Sequence, residues 1–187
     1  NSASGISTYH NAPFTGDIIG FVVEQSGGYG FRLRADCTGT IEHITLVDIA
    51  ANGSGFRDSL VVDKSTAVTN TFALLHDSAS GASECFATGP SGTYGASSDY
   101  NASGDSTAPG ANSLHSRSKS DLVDYDNGDF RTSLSSPLST GGDGGTFIGA
   151  FLEESAGSSV SSDVGFELSD LGVTVSSSVS KINSAFF

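Results

Sequence analysis

The chain has no methionine and no tryptophan, and only 8 lysines and arginines stand against 21 aspartates and glutamates in its 187 residues. The resulting net charge of −13 excludes two classes of partner. Nucleic-acid binding needs cationic side chains to displace counterions from phosphates, and an anionic lipid surface attracts basic segments, not acidic ones. Neither nucleic acid nor membrane is therefore an expected partner. No apolar run approaches the roughly 20 residues that span a bilayer as a helix. Two cysteines, Cys37 and Cys85, cannot form a disulfide framework. One bridge between them is arithmetically open; the alternative is two buried thiols packing as small hydrophobes. Without methionine, and starting at Asn1, the chain reads as a processed product or a fragment, with no signal peptide to name a compartment.

What is abundant is glycine, at 24 residues, together with serine, while hydrophobic residues make up 36%. Disorder would deplete Val, Ile, Leu and Phe, yet these recur in short groups. The main groups are Ile18-Ile19-Gly20-Phe21-Val22-Val23, Ile41 to Val47 and Val68 to Leu75. Shorter ones lie between them at Gly30 to Leu33, Ser59 to Val62 and Glu84 to Ala87. Gly/Ser/Asn/Asp turns separate them, and no stretch carries a helical period with caps, so the chain reads as all-β.

The main groups begin near residues 18, 41 and 68, a step in the range of solenoid coils. A Gly-rich turn and a shorter strand follow each, as at Gly28-Tyr29-Gly30-Phe31 and Gly53-Ser54-Gly55-Phe56. Coils stacked in parallel would line their inward apolar side chains into ladders. An antiparallel sandwich also has many short strands and stays open as the alternative. The spacing divides the chain into a lead-in segment or incomplete first coil at 1–17, coils and terminal elements at 18–152, and a Ser-rich tail at 153–187.

From residue 84 a series of phrases follows in order: Glu84-Cys85-Phe86-Ala87, Ser98-Asp99-Tyr100-Asn101, Thr107 to Leu114, Leu122-Val123-Asp124, Asn127-Gly128-Asp129-Phe130, Ser136-Pro137-Leu138 and Phe147-Ile148-Gly149-Ala150-Phe151. This series resembles the C-terminal pattern of right-handed parallel β-helix repeat proteins from phage and environmental genomes. Glu84 departs from it, since asparagine is usual there. The resemblance implies a right-handed β-helix closed by a strand at Ile148-Gly149-Ala150, and often a homotrimer. It implies function poorly, because such solenoids serve as tailspikes, capsid ornaments, adhesins, lyases and hydrolases alike.

Among candidate chemical groups, Arg32 and Arg57 follow the two Gly-x-Gly-Phe turns and are candidates for contact with an anionic glycan or a partner; solvated flank residues are the plainer reading. Paired-carboxylate glycosidase chemistry would have to draw on Asp36, Asp48, Asp58 and Asp77, each of which also suits a turn. Asp124, Asp126 and Asp129 have the alternating oxygens and glycine of a Ca²⁺ loop but lack its bidentate glutamate; the plainer reading is a turn, and no cofactor other than Ca²⁺ is suggested. His43 and His76 read as imidazoles on strand surfaces, without zinc spacing. In the tail, Phe166, Leu168, Val173, Val175, Phe186 and Phe187 would cap the stack's open end or dock on another subunit.

These features point to a non-enzymatic structural protein of an extracellular or virion surface, a capsid decoration or appendage that contacts glycans, with copies of itself or other virion proteins as partners. A tailspike-like polysaccharide lyase or hydrolase and an extracellular adhesin or fibre subunit are the alternatives.

Overall fold

The computed structural model describes residues 6–8, 15–24, 28–34, 36–49, 58–77, 79 and 81–154, all within one compact unit, Asn1–Glu154. Two parallel sheets dominate. The smaller contains β1 (Ile6–Thr8), β3 (Phe31–Leu33), β5 (Leu60–Val62) and β8 (Phe86–Thr88), in that spatial order. The larger is built from β2 (Ile18–Glu24), β4 (Thr40–Ile49), β6 (Ser65–Thr69), β7 (Phe72–Leu75), β9 (Thr93–Tyr94) and β10 (Ala102–Ser103). A third, two-stranded sheet pairs β11 (Leu122–Asp124) with β12 (Asp129–Thr132) in antiparallel fashion. Helical structure among the described residues is confined to four short 3-10 turns, such as Lys119–Asp121 and Pro137–Ser139. The all-β expectation holds at this level.

The six strand groups legible in the sequence all form strands, and they pair in parallel. Ile18 lies opposite Ile41 and Ile41 opposite Val68, while Phe31 faces Leu60 and Leu60 faces Phe86. The antiparallel sandwich is thereby excluded. The closed solenoid implied by the family resemblance is not found either. The larger sheet is a curled, parallel half-barrel accompanied by smaller sheets.

The curl has a local cause. Between the register pairs Ile19–Glu42 and Phe21–Ile44, Gly20 lies opposite His43. Asn70 and Tyr100 occupy the same rung on the strands beyond. All four have positive φ, at 71°, 52°, 49° and 54° respectively. A left-handed residue interrupts the extended pleat and redirects its strand, so four of them on one rung bend the whole sheet along a line. Each non-glycine member costs about 1 kcal/mol or more, and packing on both sides of the bend offsets that cost. At Asn70 the bend also separates β6 from β7, where the sequence suggested one strand from Val68 to Leu75.

Both faces of the larger sheet are buried at its central strands β4 and β7. Ile41, Ile44, Leu46, Val68 and Ala73 point toward the smaller sheet and pack with its Phe31, Leu33, Leu60, Val62 and Phe86. Val47, Phe72, Leu74 and Ala102 point the other way and are covered by Leu122, Leu138 and Ile148 from the C-terminal third. Strand β4 is consequently buried without alternation from Ile44 to Ile49, as a strand covered on both faces is. Full burial of such a side chain contributes about 1.5–3 kcal/mol.

The second cover departs from the family pattern. After one more parallel bridge, from Ala102 in β10 to Leu114, the chain makes the β11–β12 hairpin and returns across the outer face. Ile148-Gly149-Ala150 is not a closing strand. It is pinned to the sheet by Gly149 N–H donating to the Asn70 carbonyl at 2.8 Å and by Ala150 N–H donating to Thr45 Oγ1 at 2.8 Å. His43 lies under it, half-buried, with its ring 4.7 Å from that of Phe147 and Nδ1 3.2 Å from the Gly149 carbonyl oxygen. It is not the surface imidazole expected from strand alternation. The tail residues Phe166, Leu168, Val173, Val175, Phe186 and Phe187, and also Arg57, lie outside the described residues.

Candidate functional site

Strands β3 and β5 are neighbours, with Arg32 opposite Val61. The residue after β5, Asp63, donates its N–H to the Leu33 carbonyl at 2.8 Å, which fixes its side chain beside Arg32. The guanidinium takes the carboxylate in a two-pronged grip, Nε to Oδ2 at 2.9 Å and Nη2 to Oδ1 at 3.0 Å. It also lies over the Tyr29 ring, 4.7 Å from its centroid. The hydrogen bonds to Asp63 raise the Arg32 pKa, with burial opposing them. Arg34, on the same side of the chain two residues later, has Nε 4.0 Å from the same carboxylate.

These residues line a recess of about 300 Å³ completed by Lys64, Pro90 and Ser91. The turn carrying Pro90 and Ser91 is closed by Gly92 N–H donating to the Gly89 carbonyl, and Gly89 N–H donates to Val62 in β5. The recess therefore has a rigid floor and an exposed rim of Arg34, Lys64, Pro90 and Ser91. Sequence reasoning found Arg32 but not its company. Asp63 and Lys64 come beside it only because β3 and β5 pair in register.

A larger recess of about 430 Å³ lies where the C-terminal third meets the outer face. Leu74, Leu75 and Cys85 form an apolar floor, while Asp77, Asp105, Arg117 and Lys119 stand around it. Most of these charges are already committed. Lys119 Nζ is 3.2 Å from Asp48 Oδ1, as an ion pair without hydrogen-bond alignment, 3.8 Å from Asp77 and 4.4 Å from the Tyr125 ring centroid. Burial works against its charge, but Tyr125 and Asp48 outweigh it and raise the Lys119 pKa. The Tyr125 hydroxyl donates to the other oxygen of Asp48. Arg117 grips Asp121 through Nε at 3.1 Å and through Nη2, and Ser118 N–H and the Ser136 hydroxyl donate to the same carboxylate at 3.0 and 2.6 Å. Desolvation opposes ionisation of Asp121, yet these donors hold its pKa below the ordinary carboxylate value.

Asp105 follows the same pattern. Burial disfavours its charge, but the Thr107 hydroxyl and the N–H groups of Cys85 and Thr107 lower its pKa. Cys85 itself is 1% exposed, and burial next to Asp105 pushes its thiol up to about 12. Such a thiol is neither nucleophile nor metal ligand at neutral pH. Both cysteines are free and buried.

Of the four carboxylates weighed for glycosidase chemistry, the structure brings Asp48 and Asp77 to a common ammonium, that of Lys119. Asp58 instead accepts from the Glu84 N–H at 2.9 Å, and Asp36 is exposed. In the loop read for calcium, Asp124 accepts from Asn127 Nδ2 at 2.7 Å and Asp129 is held by Arg131 at 2.9 and 2.6 Å. Asp126 is exposed, and Gly128 supplies the left-handed cap of the intervening turn. No three His, Cys, Asp or Glu side chains are gathered for a metal ion among the described residues. Asn101 is fully buried and donates to the Val68 and Pro109 carbonyls at 2.8 and 3.1 Å.

No known protein family, no curated protein and no solved structure matches this chain. Together with the antiparallel hairpin and the folded-back segment at 148–150, this overturns the identification with the β-helix repeat family.

Proposed function

We propose that the chain is a non-enzymatic structural component of an extracellular surface, in the first place a decoration or appendage subunit of a virion. One observation supports this most. Polar side chains that a catalytic site would leave poised toward a ligand are spent on stitching backbone segments together. Asp17 accepts from Thr40 N–H across 23 residues, Asp58 from Glu84 N–H across 26, and Asn101 from Thr71 N–H across 30, each tying two segments distant in sequence. Asp99 does the same for Asn112, at 2.8 Å. Backbone donors satisfied in this way, the Thr71 N–H among them buried, stiffen the scaffold.

The alternation of the chain between the two parallel sheets (β3, β4, β5, β7, β8, β10 in turn) fits a short wound coil of parallel strands. This architecture is proposed from the pairing alone. A stiff, acidic, lysine-poor coil suits a particle surface because like charge keeps particles apart. Fractionation of the producing culture tests the assignment. The protein should accompany purified virions in stoichiometric amount, and recovery only as free protein or in the cell fraction would reject the virion setting.

A further inference from the structure

The Arg32 recess is anomalous in its charge. Of the 8 basic residues in the chain, Arg32, Arg34 and Lys64 line this one hollow, with Asp63 as its single carboxylate. The lining thus carries three cations against one carboxylate, with Asp58 acting on Arg32 from beside it, on a protein whose net charge is −13. Simple solvation does not account for it, since an isolated basic residue in so acidic a chain would be drawn to the nearest carboxylate. Asp63 is gripped on both oxygens by Arg32 and lies 4.0 Å from Arg34.

We propose that this recess binds the carboxylate or sulfate group of an acidic saccharide, which deepens the surface assignment above by naming what that surface touches. Each element of the recess has a part in it. Arg32 is 18% exposed, and its grip on Asp63 and its seat on Tyr29 pre-orient the guanidinium edge. Arg34, 41% exposed, and the exposed Lys64 supply the charge at the rim. The exposed hydroxyl of Ser91, on a turn tied to β5, is a neutral donor beside them. Pro90 offers the apolar ring against which the C–H face of a sugar rests. The hollow is shallow and its rim lies in solvent, so a polymer can lie across it with one acidic group inserted.

The test is a titration of the full chain, at low ionic strength, with three probes: a polygalacturonate oligosaccharide, a heparin-derived oligosaccharide and inorganic sulfate. A neutral oligosaccharide of equal length is the control. At least one acidic oligosaccharide should bind more tightly than inorganic sulfate, and the neutral one should not bind. Arg34→Gln and Lys64→Gln should each weaken binding by about fivefold, the magnitude of one exposed charge pair, and added salt should weaken it further. Neither variant touches the core, and both should keep a cooperative thermal melt. Sulfate binding as tightly as the oligosaccharides would overturn the saccharide assignment. Acidic oligosaccharides binding equally well to the Arg34→Gln/Lys64→Gln double variant, or not at all, would overturn the site. Recovery of the protein with virions is unaffected by either result, so failure here is distinguishable from failure of the structural assignment.

Discussion

Asn70 occupies the rung next to His43 across the sheet, and both residues hold a left-handed backbone, with φ of 49° and 52°. Asn70 also accepts from Asp143 N–H through its side chain at 3.0 Å and from Gly149 N–H through its carbonyl at 2.8 Å. The bend that curls the sheet and the clasp that holds the C-terminal third to it are thus the same residue.

Asn70→Gly keeps the left-handed conformation and loses only the side-chain bond, a cost of about 1 kcal/mol. Asn70→Val loses the bond and forces a β-branched residue into that region, so it should cost about 3 kcal/mol. Urea denaturation of the two variants separates these contributions. Equal destabilisation would mean that the bend carries no strain.

Gly149 has φ 110°, and a Cβ there would come within 2.8 Å of Thr132 Oγ1 and 3.0 Å of Thr45 Oγ1. Gly149→Ala should therefore loosen the outer cover by about 2 kcal/mol or more, through strain and overpacking. Amide exchange should accelerate over 122–150 while Phe31–Leu33 and Leu60–Val62 keep their protection. Uniform acceleration would show that the cover and the inner core open together.

Acid should unfold the chain. Asp105 and Asp121 both have lowered pKa values in the fold. A carboxylate depressed by folding stabilises fully above its unfolded pKa, near 3.9, and that contribution is lost as pH falls through the folded value. Stability followed by circular dichroism should be flat from about pH 7 to 5 and fall steeply below about pH 4. Asp121→Asn removes the buried carboxylate that holds half-buried Arg117, Ser118 N–H and the Ser136 hydroxyl together and should cost about 2 kcal/mol at neutral pH, while flattening the acid limb.

Neither thiol should react in the native state. Cys85 is buried with its pKa pushed up to about 12, and Cys37 is buried against the Gly16 and Gly39 carbonyls. A thiol reagent should find no fast-reacting group near pH 8 and two in denaturant. One fast equivalent without denaturant would show that the 430 Å³ recess opens to its floor.

The strands were legible in the sequence because the groups around Phe21, Leu46 and Phe72 are separated by turn residues and repeat at a coil-like interval. That interval also foretold parallel pairing, with Phe21 opposite Ile44 and Thr45 opposite Phe72. The outer cover was not legible. Leu122 and Ile148 lie in short apolar phrases and Leu138 stands alone, and only the tertiary fold shows that the three share the face of Phe72. The phrases at 84–151 misled for the same reason, since short turn-forming words such as Asn127-Gly128-Asp129 suit a hairpin as well as a coil. The basic recess escaped because its members come from three segments, and Arg32 is their one link to a sequence feature.

The structural assignment is tested most directly by incubating the purified chain with a panel of acidic and neutral polysaccharides and following unsaturated products and new reducing ends. No turnover should be seen, even with a polysaccharide that the Arg32 recess binds. Product formation that disappears on substitution of Asp77 or Asp105 at the larger recess would make the protein an enzyme and contradict the account.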